Sequence, residues 1–255
     1  MNCVDQIVTD RYAAYQGDCV EVLKGLPDHS VGYSIFSPPF ASLYTYSNSP
    51  RDMGNVRNDA EFFEHFDFLI AELLRVMKPG REVSFHCMDM PTSKERDGYI
   101  GLKDFPGELI RAFQKHGFIF HAKVTIWKDP VTAMQRTKAL GLLHKSIREN
   151  SAMCRQGIPD YLITMRTPGE SERITHGAEF PVDLWQKVAS PVWMDINPSD
   201  TLQYTSAREH DDERHICPLQ LEVIRRGVML WTNPDDIVLS PFLGIGSEGH
   251  VSVEM

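Results

Sequence analysis

The 255-residue sequence has little cysteine and lacks long apolar runs. Its five cysteines are scattered and form no C-x-x-C pair, which argues against a disulfide framework and against a structural zinc site. No stretch approaches 18 uninterrupted apolar residues, so no membrane span is expected. The first residues show no basic segment followed by an apolar run, so we expect no signal peptide and a cytoplasmic location.

The sequence also lacks an excess of positive charge. Its 35 acidic and 26 basic side chains give a net charge of −9, which excludes a small basic module that binds nucleic acid by bulk charge. The stretch 131–155 differs, because it carries five basic side chains against one acidic side chain. Any contact with nucleic acid is therefore expected to be local.

Predicted strands and helices alternate along the chain. Helical spacing of apolar residues follows Asn58, whose side chain and Glu61 resemble a capping box. This alternation predicts a doubly wound, mostly parallel α/β sheet. We expect 41–58 to be a long loop and 168–214 to be an insertion at one edge of the sheet. Predicted strands are 31–36, 82–87, 118–127, 160–165 and 236–240, and the clearest predicted helices are 58–77, 106–116 and 218–231, the last with Pro218 in its first turn.

The segment Ser37-Pro38-Pro39-Phe40 follows a predicted strand directly. Proline has no backbone N–H, so this loop is stiff and presents carbonyl acceptors. The Ser37 hydroxyl can also accept, and Phe40 offers a flat apolar face. Such a set suits a planar group with an amino donor. The alternative is a proline-rich turn with a core phenylalanine.

A second loop, 241–247, follows the last predicted strand and contains Gly244 and Gly246. Glycine lets the backbone approach a ligand closely, although a tight strand-to-helix turn would use the same residues. A nicotinamide-dependent dehydrogenase is disfavoured, because the first β–α turn lacks a full G-x-G-x-x-G.

Taken in order, several segments resemble the S-adenosylmethionine-dependent DNA amino-methyltransferases of bacteria and their phages, in the permuted arrangement. Coverage runs from about residue 15 to 249. The matching segments are 17–23, beginning Gly17-Asp18, then Ser37 to Phe40, 76–80, the strand 118–128 ending in Trp127-Lys128, 215–220 and 238–246.

The resemblance implies S-adenosylmethionine as cofactor and a base flipped out of double-stranded DNA as substrate. Ser37, Pro38, Pro39 and Phe40 would be catalytic, with the amino group bonded to the Ser37 side chain and the Pro38 carbonyl while Phe40 stacks on the base. Asp18 would contact the cofactor's adenine. The remaining implied cofactor residues are Cys19, His215, Pro218, Gln220, Ser240, Phe242, Gly244 and Gly246.

Two of these assignments have alternatives. His215 is equally consistent with a surface or helix-capping histidine. A metal site built from His210, His215 and Cys217 is not expected, because their spacing forms no ligand pair. We therefore predict no metal.

The sequence departs from the family in two ways. Ser240 stands where the wider family has Asp, and the family continues after the glycine turn into a strand whose acidic residue binds the cofactor's ribose. We therefore expect a single catalytic domain, 1–255, that is truncated relative to the family. The alternative function is a catalytically inactive DNA- or cofactor-binding protein.

The sequence also bears on the target base and on the residues that contact DNA. Ser-Pro-Pro-Phe is the form common among cytosine-N4 enzymes, so cytosine N4 is favoured over adenine N6. In 131–155 we expect Arg136, Lys138, Lys145 and Arg148 to contact DNA, where a solvated helix face is the alternative. The segment 168–214 is a candidate target-recognition insertion in a restriction–modification enzyme. A homodimer is left open.

Overall fold

The computed structural model describes residues 2–40, 53–56, 58–137, 142–174, 180–202 and 218–255. Helices and strands alternate along much of these ranges, as the sequence pattern predicts. The strands are β1 (Asp5–Val8), β2 (Ala13–Gln16), β3 (Tyr33–Phe36), β4 (Glu82–Met88), β5 (Met90–Pro91), β6 (Leu102–Lys103), β7 (Ile119–Ile126), β8 (Asp160–Arg166), β9 (Val192–Trp193) and β10 (Val238–Leu239). The helices are α1 (Cys19–Leu23), α2 (Asp59–Val76), α3 (Lys94–Asp97), α4 (Phe105–Lys115), α5 (Pro130–Thr137), α6 (His144–Glu149), α7 (Val182–Val188), α8 (Leu221–Trp231) and α9 (Ser247–Glu254).

Among the described residues, six strands form the central sheet, in the order β10-β3-β4-β8-β7-β9. The pairs β10–β3, β3–β4 and β7–β9 are parallel, and β8 is antiparallel to both of its neighbours. Five strands therefore run in one direction and only β8 is reversed. This confirms the predicted mostly parallel α/β sheet.

Helices cover both faces of this sheet. The aromatic residues Phe62 and Phe66 of α2 and Phe113 of α4 pack on one face, with the Phe85 and Phe113 rings stacked at 4.9 Å. On the other face α8 and α9 pack against Tyr33 and Ile35. Because successive strand residues point to opposite faces, β3 contributes to both cores and all four of its residues are buried. A doubly wound arrangement follows.

Helix ends agree with the sequence pattern at α2 but not at α8. The Asn58 side chain accepts a hydrogen bond of 3.0 Å from the Glu61 N–H, so the predicted cap is confirmed. The prediction that Pro218 lies in the first turn of the following helix is wrong, because α8 begins at Leu221 with Gln220 as its N-cap. An N-cap residue usually has extended backbone, and Gln220 (ψ 132°) has it. Pro218 therefore lies just outside the helix.

Two of the less regular predicted segments are described only in part. Of the predicted loop 41–58, residues 41–52 and 57 lie outside the described residues, and Met53–Asn55 forms a short 3-10 turn. In 168–214, α7 leads to β9, which is the outer strand beside β7. Residues 175–179 and 203–214 lie outside the described ranges. Among the helices of the described residues, none has the length and apolar character needed to cross a bilayer.

A buried ion pair connects the amino ends of three adjacent strands, β10, β3 and β4. Arg81, which immediately precedes β4, has a fully buried side chain that pairs with Asp236, shortly before β10. Its Nε also donates to the Gly32 carbonyl before β3, at 2.9 Å, and its Nη2 to the Trp231 carbonyl at the end of α8, at 3.0 Å. One guanidinium thus joins β10, β3, β4 and α8 at this edge.

We predict that Asp236→Asn lowers the free energy of unfolding by about 3 kcal/mol or more, because it leaves the Arg81 cation buried without its carboxylate. The matched control is Asp28→Asn, since the Asp28 side chain also pairs with an arginine, Arg75 at 2.5 Å, but is 66% exposed. That variant should cost less than about 1 kcal/mol. Urea unfolding measures both, and equal losses would contradict the assignment.

Candidate functional site

The structure brings the two loops singled out in the sequence together. Ser37 to Phe40 follow the carboxyl end of β3, and Ser240 to Gly246 follow the carboxyl end of β10, which is the parallel neighbour of β3. The Ser34 hydroxyl donates to the Leu239 carbonyl at 3.0 Å, and the Phe36 and Phe242 rings are 5.7 Å apart. In open α/β sheets this edge is where ligands bind. The two loops therefore form one candidate site.

The Ser37–Phe40 loop is rigid and only partly exposed. Pro38 and Pro39 are buried, whereas Ser37 and Phe40 are half-buried. The Phe40 ring packs on the Phe105 ring of α4, with 6.1 Å between centroids. Phe40 is thus anchored on one side by the core, as the alternative interpretation expects, and is still accessible to a ligand.

The glycine turn is built from left-handed backbone. Gly244 and Gly246 have φ of 54° and 88°, a region that disfavours other residues, and Gly246 is the N-cap of α9. A Cβ at either position would meet nothing within 4 Å among the described residues. Conformation, rather than crowding by the protein, thus requires glycine here, and the turn borders open space.

Two buried hydroxyls that flank this turn in sequence, those of Ser240 and Ser247, lack a hydrogen-bond partner among the described residues. Oε1 of Gln220, the N-cap of α8, is also buried without one. Buried polar groups are normally paired, so these atoms are candidates for binding a polar ligand. Glu248 is buried in the same helix start as Ser247, and burial raises the pKa of its carboxyl to about 7.

The implied cofactor residues Asp18 and Cys19 lie at the start of α1. The Asp18 carboxylate caps this helix, accepting from the N–H groups of Val20 at 2.9 Å and Glu21 at 3.2 Å. Burial raises the pKa of the Cys19 thiol to about 12, so it is protonated at neutral pH. The cofactor roles of both residues stay predictions, as does that of Pro218. His215 lies outside the described residues.

Sequence reasoning missed a buried polar group beside Ser37. The Ser37 Oγ lies 3.3 Å from Nδ1 of His86, on β4, and His86 Nε2 lies 3.2 Å from Oδ2 of Asp160, the first residue of β8. Lys128 Nζ, just after β7, is 2.5 Å from the other oxygen of Asp160. An acidic residue opening an otherwise apolar strand was the available signal.

The charge state of Asp160 follows from its neighbours. Burial acts to raise the pKa of its carboxyl, but His86 and Lys128 outweigh that effect, and the pKa is lowered. Asp160 is therefore a buried carboxylate at neutral pH. It supplies fixed negative charge behind the Ser37–His86 contact.

The basic stretch reaches the same edge of the sheet. Because β7 and β8 are antiparallel neighbours, the connection 127–159 both leaves and re-enters the sheet at the edge that holds Ser37. Lys145 and Arg148 are exposed on α6 within this connection. The Arg136 side chain and Lys138 lie outside the described residues.

Comparison with known proteins agrees with this architecture. M.BglII from Bacillus subtilis, a type II methyltransferase, is 22% identical over 240 residues, covering 93% of this chain and 61% of the relative. M.BamHI from Bacillus amyloliquefaciens, another type II methyltransferase, is 24% identical over 244 residues, covering 96% and 52%. The chain thus spans 52% to 61% of the length of these curated relatives.

Solved structures show the same fold. TTHA0409 from Thermus thermophilus, solved with S-adenosyl-L-methionine, superposes with a TM-score of 0.64 at 21% identity, covering 92% of this chain and 82% of that chain. PvuII DNA methyltransferase, which is cytosine-N4-specific, has a TM-score of 0.64 at 16% identity, with coverages of 94% and 77%. At these identities the likeness establishes the fold.

The family model described as DNA methylase, which is named for N6 and N4 methyltransferases, matches residues 33–255. This range includes the Ser37–Phe40 loop, the glycine turn and every strand of the central sheet. This chain belongs to the N6/N4 DNA methylase family.

Proposed function

We propose that this chain transfers a methyl group from S-adenosylmethionine to an exocyclic amino group of a DNA base. The observation that carries the proposal is the meeting of the Ser37–Phe40 loop and the glycine turn at the carboxyl ends of β3 and β10. One loop offers acceptors for an amino group, and the other borders unpartnered polar atoms. Family membership supports both assignments.

The residues around the glycine turn fit the methionine part of S-adenosylmethionine, which carries an ammonium and a carboxylate. Gln220 Oε1 can accept from the ammonium, while the Ser240 and Ser247 hydroxyls can donate to the carboxylate. Phe242 forms an apolar wall beside Phe36. When bound, the cofactor supplies a methyl group made electrophilic by its sulfonium.

The Ser37–Phe40 loop would prepare the amino nitrogen for attack. That lone pair is conjugated with the base, so the free amine is a weak nucleophile. Hydrogen bonds from the amino group to Ser37 Oγ and the Pro38 carbonyl localise the lone pair and direct it, while Phe40 stacks on the base. Burial raises the pKa of the Cys19 and Cys87 thiols, and the mechanism needs no thiolate.

Cytosine N4 is the proposed target, with adenine N6 as the second candidate. The proposal depends on Ser37, because Ser-Pro-Pro-Phe resembles the cytosine-N4 form of this loop. Both bases present an amino group to the same acceptors, so the buried contacts around Ser37 are compatible with either.

Double-stranded DNA would approach the edge that holds Ser37. Lys145 and Arg148 are exposed on the connection above that edge, where they can meet phosphates while the target base is flipped into the site. We propose the same role for Arg136 and Lys138, and target recognition for 168–214. Local placement of these cations offsets the overall negative charge of the chain.

Expression in a host without endogenous N4-methylcytosine or N6-methyladenine tests the reaction. Host DNA is digested to nucleosides and analysed by mass spectrometry, with an empty vector as control. We expect N4-methylcytosine to accumulate. N6-methyladenine would correct the target base, and neither product, together with calorimetric binding of S-adenosylmethionine, would make the chain a cofactor-binding protein.

Phe40→Ala should lower turnover by about 10- to 100-fold, since stacking of a base on an aromatic ring contributes about 1–3 kcal/mol. The dissociation constant for S-adenosylmethionine should change less than about twofold, because the ring lies on the base side of the site. The control is Phe63→Ala on α2, whose ring also contacts Phe105 at 6.1 Å. If both variants lose equal activity, Phe40 acts through packing alone.

Lys145→Ala combined with Arg148→Ala should lower the slope of log K for DNA against log salt concentration by about 2, because each lost phosphate contact removes about 0.9. Arg111→Ala combined with Lys115→Ala is the control, since both side chains are exposed on α4. Fluorescence anisotropy with a labelled duplex measures both slopes. An unchanged slope in the α6 variant would show that this basic stretch is only a solvated face.

A further inference from the structure

His86 is placed against Ser37 by the pairing of their strands. β3 and β4 are parallel with Phe36 opposite Phe85, so the next residues, Ser37 and His86, are neighbours at the carboxyl edge. The Ser37 Oγ lies 3.3 Å from His86 Nδ1 and 3.4 Å from the His86 carbonyl oxygen. The Ser37 hydroxyl thus directs its proton toward these two acceptors of His86. The lone pairs of Ser37 Oγ are left to accept from a donor in the site.

The far side of the imidazole faces a fixed negative charge. Asp160 is buried at the first position of β8, with Oδ2 at 3.2 Å from His86 Nε2 and Oδ1 at 2.5 Å from Lys128 Nζ. His86 Nε2 has no aligned hydrogen-bond partner among the described residues, so its contact with Asp160 is electrostatic. A carboxylate this close still favours the tautomer with its proton on Nε2. Nδ1 then carries the lone pair that can accept the Ser37 proton.

We propose that His86, oriented by Asp160 and Lys128, is a positioning residue that fixes the Ser37 hydroxyl and takes up the proton released by the methylated amine. The inference rests on the proposed methyl transfer at Ser37. It explains why a histidine of β4, the first residue of β8 and a lysine just after β7 lie next to one another behind a serine.

Ser37 and His86 can take up the proton that methyl transfer releases. As the N–C bond forms, the S–C bond breaks and its electron pair goes to sulfur. The amine nitrogen is left with a positive charge, and its N–H bond breaks to return an electron pair to nitrogen. The proton passes to Ser37 Oγ while the Ser37 hydroxyl proton passes to His86 Nδ1, giving an imidazolium next to Asp160. Solvent later removes that proton.

A serine–histidine–aspartate set also occurs in acyl-transfer enzymes, but this one lacks a feature of that chemistry. Residues 38 and 39 are both proline, so the two positions after Ser37 offer no N–H groups to hold an oxyanion. The same prolines present carbonyl acceptors, which an amino group can use. The loop thus favours a role of Ser37 as acceptor over a role as nucleophile.

The charged groups around His86 come from other strands of the sheet. Asp160 on β8 lies against His86, and Lys128 after β7 lies against Asp160. β3 contributes the uncharged Ser37. Asp89, three residues further along the chain, accepts from the Tyr161 hydroxyl at 3.4 Å.

Single-turnover methylation of a duplex at neutral pH tests the proposal with the full chain. His86→Gln should react about 10- to 100-fold more slowly than the wild type. Its dissociation constants for S-adenosylmethionine and DNA should change less than about twofold. The matched control is His116→Gln, because His116 also faces an aspartate, Asp67 at 3.0 Å, at the end of α4. That variant should keep the wild-type rate.

A second measurement requires neither turnover nor a variant. Nitrogen-15 NMR of the histidine rings, assigned through correlations to each Cβ, should show His86 with its proton on Nε2 at neutral pH. A proton on Nδ1 overturns the proposal, as does a single-turnover rate of His86→Gln that equals that of the wild type. A wild type that methylates no DNA overturns the proposed function and this inference together.

Discussion

The parallel pairing of β10, β3 and β4 is the constraint on which the site depends. It places the carboxyl ends of three strands side by side, so Ser240 lies at the same edge of the sheet as Ser37 and His86, although the three are far apart in sequence. Of the described strands in this sheet, β8 is the one that is reversed, and its first residue, Asp160, lies where the other strands end. One change of strand direction thus completes the buried polar group.

The two edges of the same sheet differ in their polar contacts. At the amino edge, Arg81 satisfies the Gly32 and Trp231 carbonyls and the Asp236 carboxylate, which joins β10, β3, β4 and α8. At the carboxyl edge, the hydroxyls of Ser240 and Ser247 are buried without a partner among the described residues. Polar groups left unsatisfied in this way reduce stability and are typical of a binding site.

Local pattern was sufficient to predict both loops and all strands of the described central sheet except β9. Helical periodicity and the Asn58 cap predicted α2, and the apolar runs predicted β3, β4, β7 and β8. Pro218 was placed wrongly because proline's preference for the first helical turn does not decide where a helix begins. Here the extended backbone of Gln220 makes it the N-cap, and the helix begins after it. The role of Asp18 as a cap of α1 was also not anticipated.

The contact between His86, Asp160 and Lys128 could not be predicted from the sequence. It depends on the antiparallel pairing of β4 with β8 and of β8 with β7, and no local pattern specifies which strands become neighbours. The target base could not be predicted from the sequence for a different reason. The Ser37 hydroxyl can accept a hydrogen bond from the amino group of either cytosine or adenine.

The central claim is that the Ser37 loop and the glycine turn form one site for methyl transfer. A crystal structure with sinefungin, an S-adenosylmethionine analogue that carries an amine in place of the methyl sulfonium, tests it directly. We expect the analogue to lie along the Gly244–Gly246 turn with its amine directed toward Ser37 Oγ. Binding elsewhere, or with the amine directed away from Ser37, would contradict this claim.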